Sequence, residues 1–401
     1  MPTAGLHKLL SRRRLTIIGL NSGTSADGID AAALTIARGR HGVRVTCLKT
    51  LGRRYPKPLR ERILNAADTP AIDPAELIYL DTTLGRAFGR VALQLAQRLH
   101  SDGITVQAVA SHGQTVRHLP QPTKYLGHRL WGTLQLGSLD HIAATTGLIT
   151  IGDFRPADIA AGGEGAPITS AAVRRMLPPG IRSQLLVNIG GISNYFYFAS
   201  PRSGLTDQAA DCGPGNSLID ILAQRLFGRT YDRNGSLARR GCLSQRLLSL
   251  LRLMPPGQRR TLSTGREQFG QAMADEIIRQ AKRLRLKAHD IMCTATELTA
   301  LGIADAVRPL LHKDDHLQKL YLTGGGRHNG FLVSRLQDYL PDWPLGDVDE
   351  TGFDGDYLEA ASFAVMGEAC LRSESLTLVS RQNRPGPILG HLVQPPNDRK
   401  N

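Results

Sequence analysis

An apolar segment that runs into a small, polar, glycine-bearing turn and leaves as a second apolar segment occurs twice in this chain. Residues 15–20 (LTIIGL) enter a turn spanning 21–30, and residues 31–36 (AAALTI) leave it. Residues 185–189 (LLVNI) enter Gly190-Gly191-Ile192-Ser193-Asn194, and residues 195–198 leave. A strand–turn–strand unit that recurs about 170 residues later points to two related halves. The length agrees, because 401 residues exceed what one hydrophobic core organises. We expect two lobes, residues 1–150 and 151–364, with 365–401 packing back on the first.

The rest of the chain supplies the layers that cover two sheets. Residues 77–99, 217–227, 266–286 and 297–311 carry apolar side chains at helical spacing. Short apolar runs at 108–111, 148–151 and 320–323 read as strands, the last running into Gly324, Gly325 and Gly326 and then a helix. Strands alternating with helices predict an α/β protein with mostly covered sheets. The proline-bearing tail from 385 onward reads as loosely attached.

Composition narrows the function classes. The 42 Gly and 22 Pro recur with no short period, which excludes collagen and coiled coil. No apolar run approaches the ~18 residues of a membrane helix. The arginines at 12, 13 and 14 follow the first apolar piece instead of preceding it, so the N-terminus does not read as a secretory signal. Cys47, Cys212, Cys242, Cys293 and Cys370 lie far apart with no C-x-x-C pair, the pattern of reduced thiols in a cytoplasmic protein. The net charge is +14, carried by arginine, since only nine of the 49 basic residues are Lys. The basic runs at 12–14 and 252–260 lack the interleaved aromatics on which single-stranded bases stack, so no nucleic-acid partner is expected. A positive field instead favours an anionic small molecule.

Familiar catalytic signatures are missing. There is no G-x-x-x-x-G-K-[ST], no strand followed by G-x-G-x-x-G, no H-R-D with D-F-G, no H-E-x-x-H and no G-x-S-x-G. Three glycine-rich turns at strand ends remain. The first runs Ser22, Gly23, Thr24, Ser25, Ala26, Asp27, Gly28, Ile29, Asp30. Successive backbone N–H groups in such a turn cradle an anion, and its hydroxyls add donors. Asp27 and Asp30 offer the oxygen ligands that Mg²⁺ prefers. The second turn includes Asn188, Gly190 and Gly191. The third, Gly324, Gly325 and Gly326, lets a flat ring or a phosphate approach the backbone.

Two such turns with a third at the rim resemble the two-lobed actin-like ATPase fold of sugar kinases, Hsp70 and actin, with an interlobe cleft. The segment from Gly19 to Asp30, G-x-x-S-G-T-S-x-D-G-x-D, resembles the signature of the anhydro-N-acetylmuramic acid kinase family. Further matches follow in order: Ser111-His112-Gly113-Gln114-Thr115, Asp153-Phe154-Arg155 with Asp158, and Ala161-Gly162-Gly163 with Gly165-Ala166-Pro167. Then come Asn188-Ile189-Gly190-Gly191-Ile192, Asp211 with Gly213-Pro214-Gly215-Asn216, and Tyr231-Asp232 with Gly235. Ser263-Thr264-Gly265-Arg266-Glu267, Gly324-Gly325-Gly326 and Glu359-Ala360 close the series. The resemblance spans roughly residues 15–370.

The resemblance implies an ATP- and Mg²⁺-dependent kinase that opens 1,6-anhydro-N-acetylmuramic acid with water and phosphorylates O6, giving N-acetylmuramic acid 6-phosphate in cell-wall recycling. It assigns the general base to Asp158. The three turns are expected to bind ATP, with Asp27 and Asp30 toward the metal. His112, Gln114, Arg155 and Glu359 are expected to contact substrate, with Arg117 a further candidate for its carboxylate. Lobe closure hinged at Gly162, Gly163 and Gly165, a homodimer and a cytoplasmic location are also expected. Two alternatives of the same fold stand beside this reading: a kinase for another sugar, and a non-catalytic nucleotide or sugar sensor. The chain departs from the family pattern at Asn21, Glu164, Cys212 and Leu262. It also departs at Gly137-Ser138, where no Asp or Asn follows the Gly, and near 381–389.

Overall fold

The computed structural model describes residues 9–40, 42–69, 71–177, 182–253, 270–314, 316–317, 319–376 and 386–396. The chain divides into one unit of Met1–Pro179 with Gly352–Asn401 and a second of Gly180–Thr351.

The first unit opens with an antiparallel meander, β1 (Arg14–Ser22), β2 (Gly28–Gly39) and β3 (Gly42–Arg54). Helices α1 (Lys57–Asp68) and α2 (Pro74–Ser101) follow. Asp73 caps α2 by accepting from the Ala75 amide, and Pro74 sits where the helix needs no donor. Then β4 (Ala108–Tyr125) runs parallel to β1, and β5 (His128–Leu136) returns along β4 as a hairpin. Helix α3 (Leu139–Thr146) leads to β6 (Ile149–Gly152), parallel to β4, and the short helices α4 (Phe154–Ala160) and α5 (Ser170–Met176) end this part.

The second unit repeats the plan. The meander is β7 (Gln184–Ile189), β8 (Ile192–Phe198) and β9 (Gln208–Pro214). Helices α6 (Asn216–Phe227), α7 (Gln245–Leu253), α8 (Gln271–Arg283) and α9 (Ala288–Leu311) precede β10 (Leu320–Thr323), which is parallel to β7. Helix α10 (Gly330–Tyr339) leads to β11 (Leu345–Asp347), parallel to β10. The chain then returns to the first unit with α11 (Leu358–Leu371) and β12 (His391–Val393), the latter antiparallel to β6.

The sheet orders are therefore β12-β6-β4-β1-β2-β3 and β11-β10-β7-β8-β9. Read from the meander outward, both place the third, second and first strands beside two parallel ones. The fold is α/β with the duplicated topology of the actin-like ATPase and sugar-kinase class, and the repeated turn of the sequence is the β1–β2 and β7–β8 connection. Sheet strands covered on both faces lose the polar alternation of a half-exposed strand. In β1 every residue after Arg14 is buried. Helix α2 covers one side through Leu84, Phe88 and Leu95 against Ile18, Leu20 and Val109. Helix α11 packs on β1, β2 and β4 and is buried all round except at Glu359 and Cys370.

The unit boundaries differ from the sequence expectation at 150 and 364. Strand β6 completes the first sheet, α4 and α5 follow it directly, and α11 belongs to that unit from its first residue. Asp158 thus lies in the first unit, and Gly162, Gly163 and Gly165 fall inside it, ahead of its end at Pro179. Strand β3 was not expected. The helix expected at 297–311 begins at Ala288, and the one at 266–286 is described as Gln271–Arg283. Leu262 and the Ser263-Thr264-Gly265-Arg266-Glu267 match lie outside the described residues.

Candidate active site

In the first unit the C-terminal end of β1, the N-terminal half of β4, the start of α11 and the loop after α4 bring the expected residues together. The β1–β2 turn exposes Gly23, Thr24 and Ser25 at its tip and buries Ala26. Its base is closed by Ser22, whose Oγ lies 2.7 Å from the Gly28 carbonyl and 2.6 Å from Gln114 Oε1. Gln114 Nε2 donates to the Gly23 carbonyl at 3.1 Å. Gln114 therefore braces the turn.

Asp27 is exposed, and Arg60 reaches it at 3.1 Å. Asp30 pairs across the strands with Asn21. Burial, then Glu359, Asp356, Asp27 and Asp354, push the Asp30 carboxyl up to about 7. The turn is thus acidic on its β2 side, and a hard cation would relieve that repulsion. Among the described residues no three His, Cys, Asp or Glu side chains form a ready ligand set. A Mg²⁺ ion that keeps its waters and shares phosphate oxygens needs only one or two carboxylates, so Asp30 fits it, with Asp27 partly committed to Arg60.

Glu359 sits in the first turn of α11, where Asn21 Nδ2 donates to its Oε2 at 2.7 Å. The surrounding protein raises its carboxyl above the ordinary range, against the pull of Asn21 and Arg155.

His112 is buried and stacks on Phe363 with ring centroids 4.6 Å apart. Arg155 Nε donates to its Nε2 at 2.9 Å, so the other nitrogen, Nδ1, carries the proton and donates to the Gly113 carbonyl at 3.1 Å. Burial and the Arg155 charge hold the ring far below the usual imidazole range, hence neutral. Both nitrogens are engaged, and His112 orients Arg155. Burial brings the Arg155 guanidinium down to about 10, while Glu359 and Asp158 support its charge. Its Nη1 donates to the Gly165 carbonyl at 2.5 Å. Arg117 gives its Nη2 to the Thr69 carbonyl at 2.7 Å.

Asp158 lies in α4 and faces the glycine loop that follows. Its Oδ2 accepts from the Gly165 amide at 2.8 Å, and its carbonyl accepts from the Gly163 amide at 2.7 Å. Oδ1 carries no hydrogen bond among the described residues, so one carboxylate oxygen is anchored and the other is not. Gly163 passes so close that a Cβ there would lie 2.0 Å from Asp158 Oδ2.

In the second unit the other two turns converge on each other. Amides at the start of α6 donate to the Gly190 carbonyl (Asn216, 2.8 Å) and the Gly191 carbonyl (Gly215, 3.1 Å). Asn216 Nδ2 donates to the Ile189 carbonyl at 3.1 Å. Gly324, at φ +78°, and Gly326 leave no room for side chains, since added Cβ atoms would lie 2.3 Å from Asn188 Oδ1 and 2.2 Å from Ile189 Cγ2. Gly325 is exposed. Asp232 braces the rim by accepting from the Leu237 and Ala238 amides at 2.7 and 3.0 Å.

Sequence reasoning missed several neighbours. Trp131, on β5, donates from its indole nitrogen to the Gly163 carbonyl at 2.6 Å. His118 has both ring nitrogens buried without a partner, and burial with the Arg155 charge lowers it to about 4. Its only sequence signal is its place shortly after Ser111-His112-Gly113-Gln114-Thr115. At Gly137-Ser138, Asp81 accepts from the Gly137 amide at 2.7 Å, and Ser138 caps α3.

A family model described as anhydro-N-acetylmuramic acid kinase matches residues 15–376. The chain belongs to the anhydro-N-acetylmuramic acid kinase family. A protein of that name from Trichormus variabilis is 38% identical over 361 residues, covering 87% of this chain and 89% of its own. One from Xanthomonas oryzae pv. oryzae is 36% identical over 389 residues, covering 95% and 97%. Among solved structures, the activator of the 2-hydroxyisocaproyl-CoA dehydratase from Clostridium difficile superposes with a TM-score of 0.40 at 13% identity, over 92% of this chain and all of that one. Membership in the anhydro-N-acetylmuramic acid kinase family places the chain among ATP-dependent sugar kinases. No helix among its described residues is long and apolar enough to cross a membrane.

Proposed function

We propose that the chain phosphorylates 1,6-anhydro-N-acetylmuramic acid from ATP while adding water across the anhydro bridge, with Asp158 as general base. The observation that carries the reading is the half-engaged carboxylate: Oδ2 is fixed by the Gly165 amide, and Oδ1 has no hydrogen bond among the described residues. A base must hold one oxygen still and offer the other to the proton it takes. Asp158 removes a proton from water as the water oxygen bonds to the anomeric carbon. The bond from that carbon to the bridging oxygen breaks, and this oxygen bonds to the γ-phosphorus as ADP leaves. The products are N-acetylmuramic acid 6-phosphate and ADP.

Gly23, Thr24 and Ser25 serve the phosphates through backbone and hydroxyl donors. Asn188, Gly190, Gly191, Gly324, Gly325 and Gly326 serve the nucleotide in the second unit. Asp30, with Asp27, would hold Mg²⁺, which when bound offsets the charge of the phosphates. Arg155 and Glu359 take the sugar, with His112 and Gln114 behind them. A homodimer and a cytoplasmic location accompany the reading, and sedimentation of the purified protein tests the former.

The test is turnover of the anhydro sugar with ATP in ¹⁸O-water, beside Asp158→Asn. The wild type should give 6-phosphate product with solvent oxygen on the anomeric carbon, and the variant should lose about 10²–10⁴ in kcat. ATP consumed only with another sugar would sink the substrate assignment. Full activity in the variant would sink the base.

A further inference from the structure

We propose that Trp131 is a positioning residue for the Asp158 carboxylate, acting through the carbonyl of Gly163. The proposal rests on the reading of Asp158 as the base. Residues 161–165 contain three glycines, and this backbone has much freedom to lose. Two of those glycines hold Asp158 at both ends, Gly163 by its amide on the main-chain carbonyl and Gly165 by its amide on Oδ2. Gly163 itself has no side chain by which to be held, because Asp158 fills the place a Cβ would take.

Side chains from outside the loop therefore fix it. Arg155 holds the Gly165 carbonyl, and the Trp131 indole holds the Gly163 carbonyl at 2.6 Å. The aim of Trp131 has a cause in the sequence. Its neighbours Gly132 and Leu130 pair with Leu119 and Thr123, so three residues on β4 face Trp131 alone. Two of the three are Pro120 and Pro122, which have no N–H to give the ladder. A bulge of this kind breaks the pairing and re-aims the opposite side chain. The β4–β5 hairpin is thereby tied to the loop of the base through one side-chain donor.

Trp131→Phe keeps an aromatic ring and deletes the donor. Amide exchange at Gly163 and Gly165, read by NMR on glycine-labelled protein without ligands, should speed up about tenfold, which corresponds to roughly 1.4 kcal/mol of lost protection. The kcat should fall about ten- to a hundredfold, as when a catalytic group is slightly misplaced, with KM for ATP unchanged. In an Asp158→Asn background the same substitution should change the residual rate less than about twofold, because the pair acts as one unit. Trp131→His, which keeps a ring N–H, should recover part of the rate.

Unchanged exchange would overturn the proposal, as would an equal loss of rate in both backgrounds. Should Asp158→Asn alone leave the rate intact, the base assignment falls and the positioning role with it. Faster exchange in Trp131→Phe would then mark a structural anchor and nothing more.

Discussion

Arg155 and His112 are joined by a 2.9 Å hydrogen bond in which the guanidinium donates and the neutral imidazole accepts. Arg155 pushes a second imidazole the same way, since His118 is lowered to about 4 by burial and that charge. Both rings stay neutral in the folded protein where the unfolded chain, at about 6.5, takes up protons. Below that value the unfolded state binds more protons, so stability rises with pH there. The stability is fully present above about pH 6.5 and drains as pH falls toward 4. We expect the melting temperature to drop between pH 7 and pH 5, and His118→Gln to flatten that drop while changing little at pH 7.5. A decline as steep in His118→Gln as in the wild type would exclude His118 as a source.

The triple glycine separates packing from binding. Gly324→Ala and Gly326→Ala drive a methyl into Asn188 and Ile189, and each should destabilise the protein by about 1–3 kcal/mol in urea unfolding. Around Gly325 the nearest atom to an added Cβ is Asn216 Nδ2 at 3.6 Å, ordinary contact. Gly325→Ala should therefore keep wild-type stability. If the nucleotide comes against this turn, the same variant should raise KM for ATP severalfold; an unchanged KM would remove Gly325 from the nucleotide site.

A buried carboxylate ties α11 to the first sheet. Glu368, with a side chain 1% exposed, takes both Nε and Nη2 of Arg38 at 2.7 Å and Nε of Arg372 at 3.1 Å. Arg175 and Arg38 continue the network to Glu374, each at 2.5 Å. Breaking such a group by removing one partner strands the others, at about 3–5 kcal/mol. Glu368→Ala should lose that much in denaturant titration, with unfolding beginning in the first unit by hydrogen exchange. A loss under about 1 kcal/mol would reclassify the cluster with exposed ion pairs.

What could be read from the sequence followed from locality. The turn at 21–30, its partner at 188–194 and the glycines at 324–326 are short segments with a backbone requirement written into a few residues. The Asp158 motif was legible for the same reason. Contacts that join distant segments were not: Asn21 with Glu359, Trp131 with Gly163, and Gln114 with Gly23 depend on strand order. The boundary at 364 differs because α11 looks like any apolar helix and nothing local says that it covers β1, and the one at 150 because the pairing of β6 with β4 joins distant segments.

The order in which the polypeptide is made now matters. The second unit is one uninterrupted stretch, Gly180–Thr351, whereas the first awaits Gly352–Asn401. Emerging from a ribosome, β1 and β4 have one side covered by α2 and the other bare until α11 arrives. The later-made half is therefore free to fold first, while the earlier-made half waits with an apolar surface open. Chaperone capture and premature truncation should both bear hardest on that interval.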